Sequence, residues 1–175
     1  DPDSHPGLAH FLEHMTLMGS KMYPQPDNLA EYLKLHGGSH NASTAPYRTA
    51  FYLEVENDAL EGAVDRLADA IAAPLLDKKY ADRERNAVNA ELTMARSRDG
   101  MRMAQVSAET INPAHPASRF SGGNLETLSD KPGSPVLDAL HAFRDKYYSA
   151  NIMKAVIYSN KPLPALAEMA ARTWG

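Results

Sequence analysis

His10-Phe11-Leu12-Glu13-His14, inside the run from Leu8 to Met18, decides the reading of this 175-residue chain. Leu8, Phe11, Leu12, Met15 and Met18 recur at helical spacing, no proline interrupts them, and Gly19 is placed to end the helix. On such a helix His10 and His14 stand one turn apart on one face. Both imidazoles can then converge on a single ion, with Glu13 flanking them. That is a zinc site in outline. Spacing alone also allows a plainer helix carrying two surface histidines beside an acid.

Two histidines hold zinc weakly, and a catalytic site usually adds a third protein ligand while keeping one position for water. The stretch from Lys78 to about Thr110 contains no proline, and no glycine before Gly100, which predicts one long helix. Glu84, Ala87, Val88, Glu91 and Ala95 share a face of it. An acid turned inward costs free energy unless it is paired or bound to metal. Glu91 is the expected third ligand. Glu84, two turns earlier, is expected to orient a ligand or steady the charge of the site. From spacing alone both could as well be solvated acids, since Arg83, Arg85, Arg96 and Arg98 lie nearby.

The order H-x-x-E-H is the inverted-zincin arrangement, the reverse of the H-E-x-x-H of other zinc proteases. With Glu91 following His14 by 77 positions, at the end of E-R-N-A-V-N-A-E, the chain resembles the pitrilysin/insulysin family of metallopeptidases. The resemblance runs from G-L-A-H-F-L-E-H-M through G-G-S-H-N-A-S-T and F-S-G-G-N-L-E-T-L to K-Y-Y-S-A-N. It implies that His10, His14 and Glu91 bind one Zn²⁺, that Glu13 is the general base, and that Glu84 is an accessory catalytic acid. No position of the metal motif departs from the family pattern.

The fold implied is α+β, an antiparallel-rich sheet flanked by helices. Members of the family carry four related α+β units in two halves that close around a chamber, and this chain would be most of the first. The activity implied is that of a zinc-dependent endopeptidase acting on peptides and small polypeptides. Its partners would be the remaining domains of the same polypeptide. The oxyanion-stabilising donor would come from the other half, so these residues alone are expected to be nearly inactive. The same fold also supplies non-catalytic structural subunits, which typically lose members of the metal motif, and processing peptidases, which a metal site does not distinguish. Bacterial members imply a periplasmic location.

Composition bounds the remainder. A chain this long, 43% hydrophobic, can bury one core and is expected to be a single domain. A net charge of −4 gives no reason to expect nucleic acid or an anionic membrane as partner. Cysteine is absent, which excludes disulfides and thiolate metal clusters but selects no compartment. No apolar run approaches a membrane span, and no basic-then-apolar signal segment opens the chain. It opens on Asp1-Pro2-Asp3-Ser4, with no room for strands before the metal helix, so an incomplete fragment of an N-terminal catalytic domain is expected.

The other elements follow from periodicity. Asp27 is expected to cap a short helix bearing Leu29, Tyr32, Leu33 and His36 and ended by Gly37-Gly38, which makes His36 a packed or partly exposed helix residue rather than a ligand. Ser39 to Ala45 and Thr49 to Val55 read as a hairpin, the second strand alternating Phe51, Leu53 and Val55 against Ala50, Tyr52 and Glu54. The first strand, His40-Asn41-Ala42-Ser43-Thr44, has little to bury. This suits an edge strand open to an extended peptide, or an ordinary solvated hairpin. The family resemblance favours the former and makes Asn41 and Ala42 substrate-binding residues; His40 has no second coordinating pair. Asp58 with Glu61 resembles a capping box opening a helix that Pro74 stops. Asn112 to Gly133 is irregular, with His115 structural and Phe120-Ser121-Gly122-Gly123-Asn124 of no defined chemistry. A helix after Ser134-Pro135, a buried-type strand from Ile152 to Tyr158 and a last helix from Pro162 through Thr173 complete the expectation.

Overall fold

The computed structural model describes residues 1–174. Among them it has seven α-helices and one two-stranded sheet, an α+β architecture: α1 Leu8–Thr16, α2 Asn28–Leu35, β1 Ser39–Ala45, β2 Arg48–Glu54, α3 Leu60–Ala72, α4 Lys78–Ala95, α5 Asp99–Thr110, α6 Val136–Tyr147 and α7 Leu163–Trp174. None of these helices is long and apolar enough to cross a membrane. The described chain divides into two compact units, one of Asp1–Met15, Ser43–Ala50 and Asp77–Phe143, the other of Thr16–Ala42, Phe51–Leu76 and the described residues from Arg144 onward.

In the first unit, Leu8, Phe11, Leu12 and Met15 of α1 are fully buried, as are Val88 of α4, Leu128 and Leu140. At about 1.5–3 kcal/mol for each large side chain withdrawn from water, the α1 stripe alone outweighs the weak intrinsic preference of so short a helix. The start of α1 is held from a distance: the Asp1 carboxylate accepts from the Gly7 and Ala9 amides, both at 2.8 Å. Gly7, at φ +91°, lies so close to Gly123 that a Cβ on it would stand 2.2 Å from the Gly123 Cα. Only glycine fits there, so the loop bearing Gly122 and Gly123 is pressed onto the entry to α1.

The second unit packs α2 on α3. Leu29 and Leu33 meet Ala63 and Leu67, and Phe51, Leu53 and Val55 of the hairpin strand and its end close over them. Leu60 and Val64, on α3, join Leu166 and Met169 of α7. The Arg66 guanidinium lies over the rings of Tyr23, at 4.5 Å, and Tyr32, at 3.9 Å.

The hairpin register is legible from its side chains. Ser39 bonds Glu54 and Thr44 bonds Thr49, so residues whose numbers sum to 93 stand opposite one another around the Pro46-Tyr47 turn. His40, Ala42, Thr44, Thr49, Phe51 and Leu53 are partly buried on one face; Asn41, Tyr52 and Glu54 are exposed on the other. Strand β2 runs one residue earlier than its alternation predicts, from Arg48 to Glu54.

Four expectations are corrected. The helix after Lys78 is two helices, broken at Arg96–Arg98, with Arg98 extended at φ −97° and ψ 120°. No residue of α5 is buried, so no packing holds it in line with α4. Asp27 and Asp58 make no side-chain cap; α3 starts after Ala59, whereas Asp77, directly before α4, accepts from the Lys79 amide at 3.0 Å. Residues 152–158 form no strand: Ile157 packs on the α3–α7 cluster while Ile152, Val156 and Tyr158 are exposed, and among the described residues no ladder partner exists. His115 does accept from the Ala117 amide at 3.1 Å, a structural role as expected.

Candidate metal centre

Burying Leu8, Phe11, Leu12 and Met15 fully leaves the opposite edge of α1 to His10 and His14, which are partly buried with ring centroids 5.0 Å apart. Helix α4 brings Glu91 to them. Its Oε2 lies 3.3 Å from His10 Nε2 and its Oε1 3.5 Å from His14 Nε2. One donor atom from each of the three residues lies within 4.8 Å of the others. Two tetrahedral ligands bonded at about 2.0–2.1 Å are separated by about 3.3 Å, so these spacings match a zinc site.

The other ring nitrogens decide the tautomers. His10 Nδ1 lies 2.8 Å from the Gly122 carbonyl, which can only accept, so Nδ1 carries the proton. His14 Nδ1 lies 3.3 Å from Glu84 Oε2 and donates to that carboxylate. In the neutral imidazoles this leaves both Nε2 atoms with lone pairs, facing the Glu91 carboxylate. Three acceptors aimed at one point repel one another unless a cation stands among them, and two imidazoles with one carboxylate suit zinc. The donor set fits the metal that the resemblance implies.

Glu84 is buried on α4, one turn before the fully buried Val88. Burial pushes its carboxyl up, but hydrogen bonds from His14 and from Arg83 Nε, at 2.8 Å, outweigh this and hold it below the usual carboxylate range. For His14, burial pulls down; the hydrogen bond to Glu84 and the charges of Glu91, Glu84 and Glu13 prevail and raise it. Glu91 is the open member of the set, with its side chain 48% exposed.

Glu13, 8% exposed, accepts a hydrogen bond from the Thr44 hydroxyl on Oε2, and Thr44 Oγ1 is 3.1 Å from Thr49 Oγ1. Sequence reasoning missed Thr44, Thr49 and Gly122. The polarity of β1 and the paired glycines were the only local signals, and neither names a partner. Asn41 and Ala42 lie on β1, three and two residues before Thr44; Asn41 is exposed and its Oδ1 accepts from the Ala42 amide. His40 is outside the metal cluster, and burial pulls its imidazole below the usual range.

A family model described as insulinase (peptidase family M16) matches residues 1–114. Protease 3 of Escherichia coli (strain K12) is 84% identical over all 175 residues. The A-factor-processing enzyme of Saccharomyces cerevisiae is 41% identical over 171 residues, 96% of this chain. The crystal structure of pitrilysin matches with a TM-score of 0.96 at 84% identity, over 99% of this chain and 19% of that one. The chain spans 18% of the length of Protease 3 and 17% of the yeast enzyme.

Proposed function

The chain belongs to the insulinase family, peptidase family M16, and from that premise we propose that it is the zinc-binding part of a metalloendopeptidase that hydrolyses peptides and small polypeptides. The convergence of His10 Nε2, His14 Nε2 and Glu91 carries this reading, because each imidazole has its Nδ1 already committed elsewhere. His10, His14 and Glu91 would hold the ion. When bound, zinc supplies Lewis acidity, polarising a carbonyl and making water a workable nucleophile near neutral pH.

The chain's own residues do the rest. Glu13 takes the proton of the attacking water and returns it to the leaving amine. Gly122 and Glu84 keep both imidazoles in the ligating tautomer, and Glu84 adds negative charge that steadies the cation. Among the described residues β1 pairs with β2 alone, and its other edge, with Asn41 and Ala42, would accept an extended peptide through main-chain hydrogen bonds, which suits broad specificity. The chain acts as one N-terminal catalytic domain, and the rest of the polypeptide completes the enclosure of substrate. Resemblance to bacterial members supports a periplasmic location, which cell fractionation tests. A complete metal set speaks against a non-catalytic subunit.

The test uses the full-length protein. Glu13→Gln is expected to keep its zinc while losing at least about 100-fold in peptide turnover, the scale of a general base. His10→Ala, His14→Ala and Glu91→Ala should lose zinc and turnover together. Near-normal turnover by the Glu13→Gln enzyme would sink the assignment.

A further inference from the structure

The hydroxyl pair on the hairpin is not needed to hold metal, and counting its protons gives it a direction. The Thr44 hydroxyl donates to Glu13 Oε2 and so spends its one proton there. The Thr44–Thr49 contact at 3.1 Å must then be made with the Thr49 proton. Thr49 donates to Thr44, and Thr44 donates to Glu13. The two threonines stand opposite each other across the hairpin, and β-branching restricts their rotamers, so the chain of donors is stiff.

Resting on the reading of Glu13 as general base, we infer that Thr44 is a positioning residue that selects which oxygen of Glu13 performs the chemistry. Oε2 is engaged by Thr44, and Oε1 is left to receive the proton. As the water oxygen bonds to the scissile carbonyl carbon, one water proton moves to Glu13 Oε1. When the C–N bond breaks, the same proton passes from Oε1 to the leaving nitrogen. Thr44 keeps its own proton throughout, and Thr49 keeps Thr44 turned toward Glu13. Without Thr44 the carboxylate can rotate about its last bond, and misplacement of a reacting group by even a fraction of an ångström slows the step without loosening substrate.

Thr44→Val, Thr44→Ser and Thr49→Val in the full-length enzyme test this, alone and in the Glu13→Gln background. Thr44→Val is expected to lower kcat by about tenfold or more, within the range of a general base that is displaced but not removed, with KM and zinc content unchanged. Thr44→Ser should recover most of the rate, and Thr49→Val should show a smaller loss. In the Glu13→Gln background, Thr44→Val should cost nothing further, since it acts through the missing carboxylate. Crystals of the Thr44→Val enzyme should show the Glu13 carboxylate rotated from its wild-type orientation. Wild-type kcat in Thr44→Val, a loss that tracks zinc or KM, or failure of serine to rescue overturns the inference while leaving Glu13 as base. If Thr44→Val does not fold, full kcat in Thr49→Val together with no rate difference between Thr44→Ser and Thr44→Ala overturns it. A wild-type enzyme without zinc-dependent turnover, or a fully active Glu13→Gln, defeats the underlying reading as well.

Discussion

At the scale of single residues, the proposed metal centre is held by groups that do not themselves face its three donors. Glu84 is the clearest: a buried carboxylate kept ionised by Arg83 and His14, whose removal frees His14 Nδ1 from its partner. Glu84→Ala is expected to weaken zinc binding by about 10–100-fold, with the helix intact because alanine favours it. Competition against a chromogenic chelator, with circular dichroism alongside, checks this; unchanged affinity would refute it. His5 works on stability instead. It is fully buried, and burial lowers its pKa against the upward pull of the Ser129 and Ser134 carbonyls and Asp130, while Lys131 lowers it further. The unfolded chain therefore binds the more protons below the ordinary histidine value of about 6.5, and stability present above that value is lost as pH falls through it. Replacing His5 by Gln should flatten the dependence of unfolding free energy on pH between about 5 and 7. The difference from wild type isolates His5 from His40, which burial shifts the same way, and from His14, which is shifted oppositely.

At the scale of elements, α1 and the loop that carries Gly122 and Gly123 act as one piece. Gly7→Ala would place a Cβ 2.2 Å from the Gly123 Cα in a residue whose φ is +91°. We expect a loss of at least about 2 kcal/mol and weaker zinc binding, since the Gly122 carbonyl that orients His10 would move. Gly100, in α5, has nothing within 4 Å of where a Cβ would stand and no positive φ. Gly100→Ala should stabilise by up to about 1 kcal/mol and leave zinc affinity alone. Urea midpoints with zinc titrations separate the two variants, and equal effects would show that the close approach of Gly7 does not matter. The hairpin and the α4–α5 pair show how far elements were legible. Alternation of Phe51, Leu53 and Val55 located β2 within one residue, because burial of one face acts locally. The break at Arg96–Arg98 carries no proline or glycine, and only the lack of anything buried on α5 accounts for it.

At the scale of the whole molecule, the three proposed ligands, Glu13, Glu84, Thr44, Thr49 and Gly122 belong to one of the two compact units. Metal bound by the proposed ligands would therefore be linked to the stability of that unit first. At a free zinc concentration about 100 times Kd, binding contributes about 2.7 kcal/mol, worth roughly 5–10 °C of Tm in a chain of this size. Chelation should lower Tm by that amount. Hydrogen exchange should then quicken in α1 and α4 more than in α2, α3 and α7, which lie in the other unit. Uniform acceleration throughout would show that the ion stabilises the chain as a single cooperative body.

What the sequence determined by itself is whatever is written within a turn or two of chain. The apolar stripe of α1, the placing of His10 and His14 on one face and the pairing of Glu84 and Glu91 along α4 all follow from a 3.6-residue period, whereas α1 stops at Thr16, three residues before the Gly19 expected to end it. What only the tertiary structure decided is which distant group meets which. His10 finds Gly122 across 112 residues, His14 finds Glu84 across 70, and Glu13 finds Thr44 across 31. No local preference encodes such pairs. They exist because packing brings buried polar groups together and each, once out of water, must be satisfied by whatever donor or acceptor the fold sets beside it.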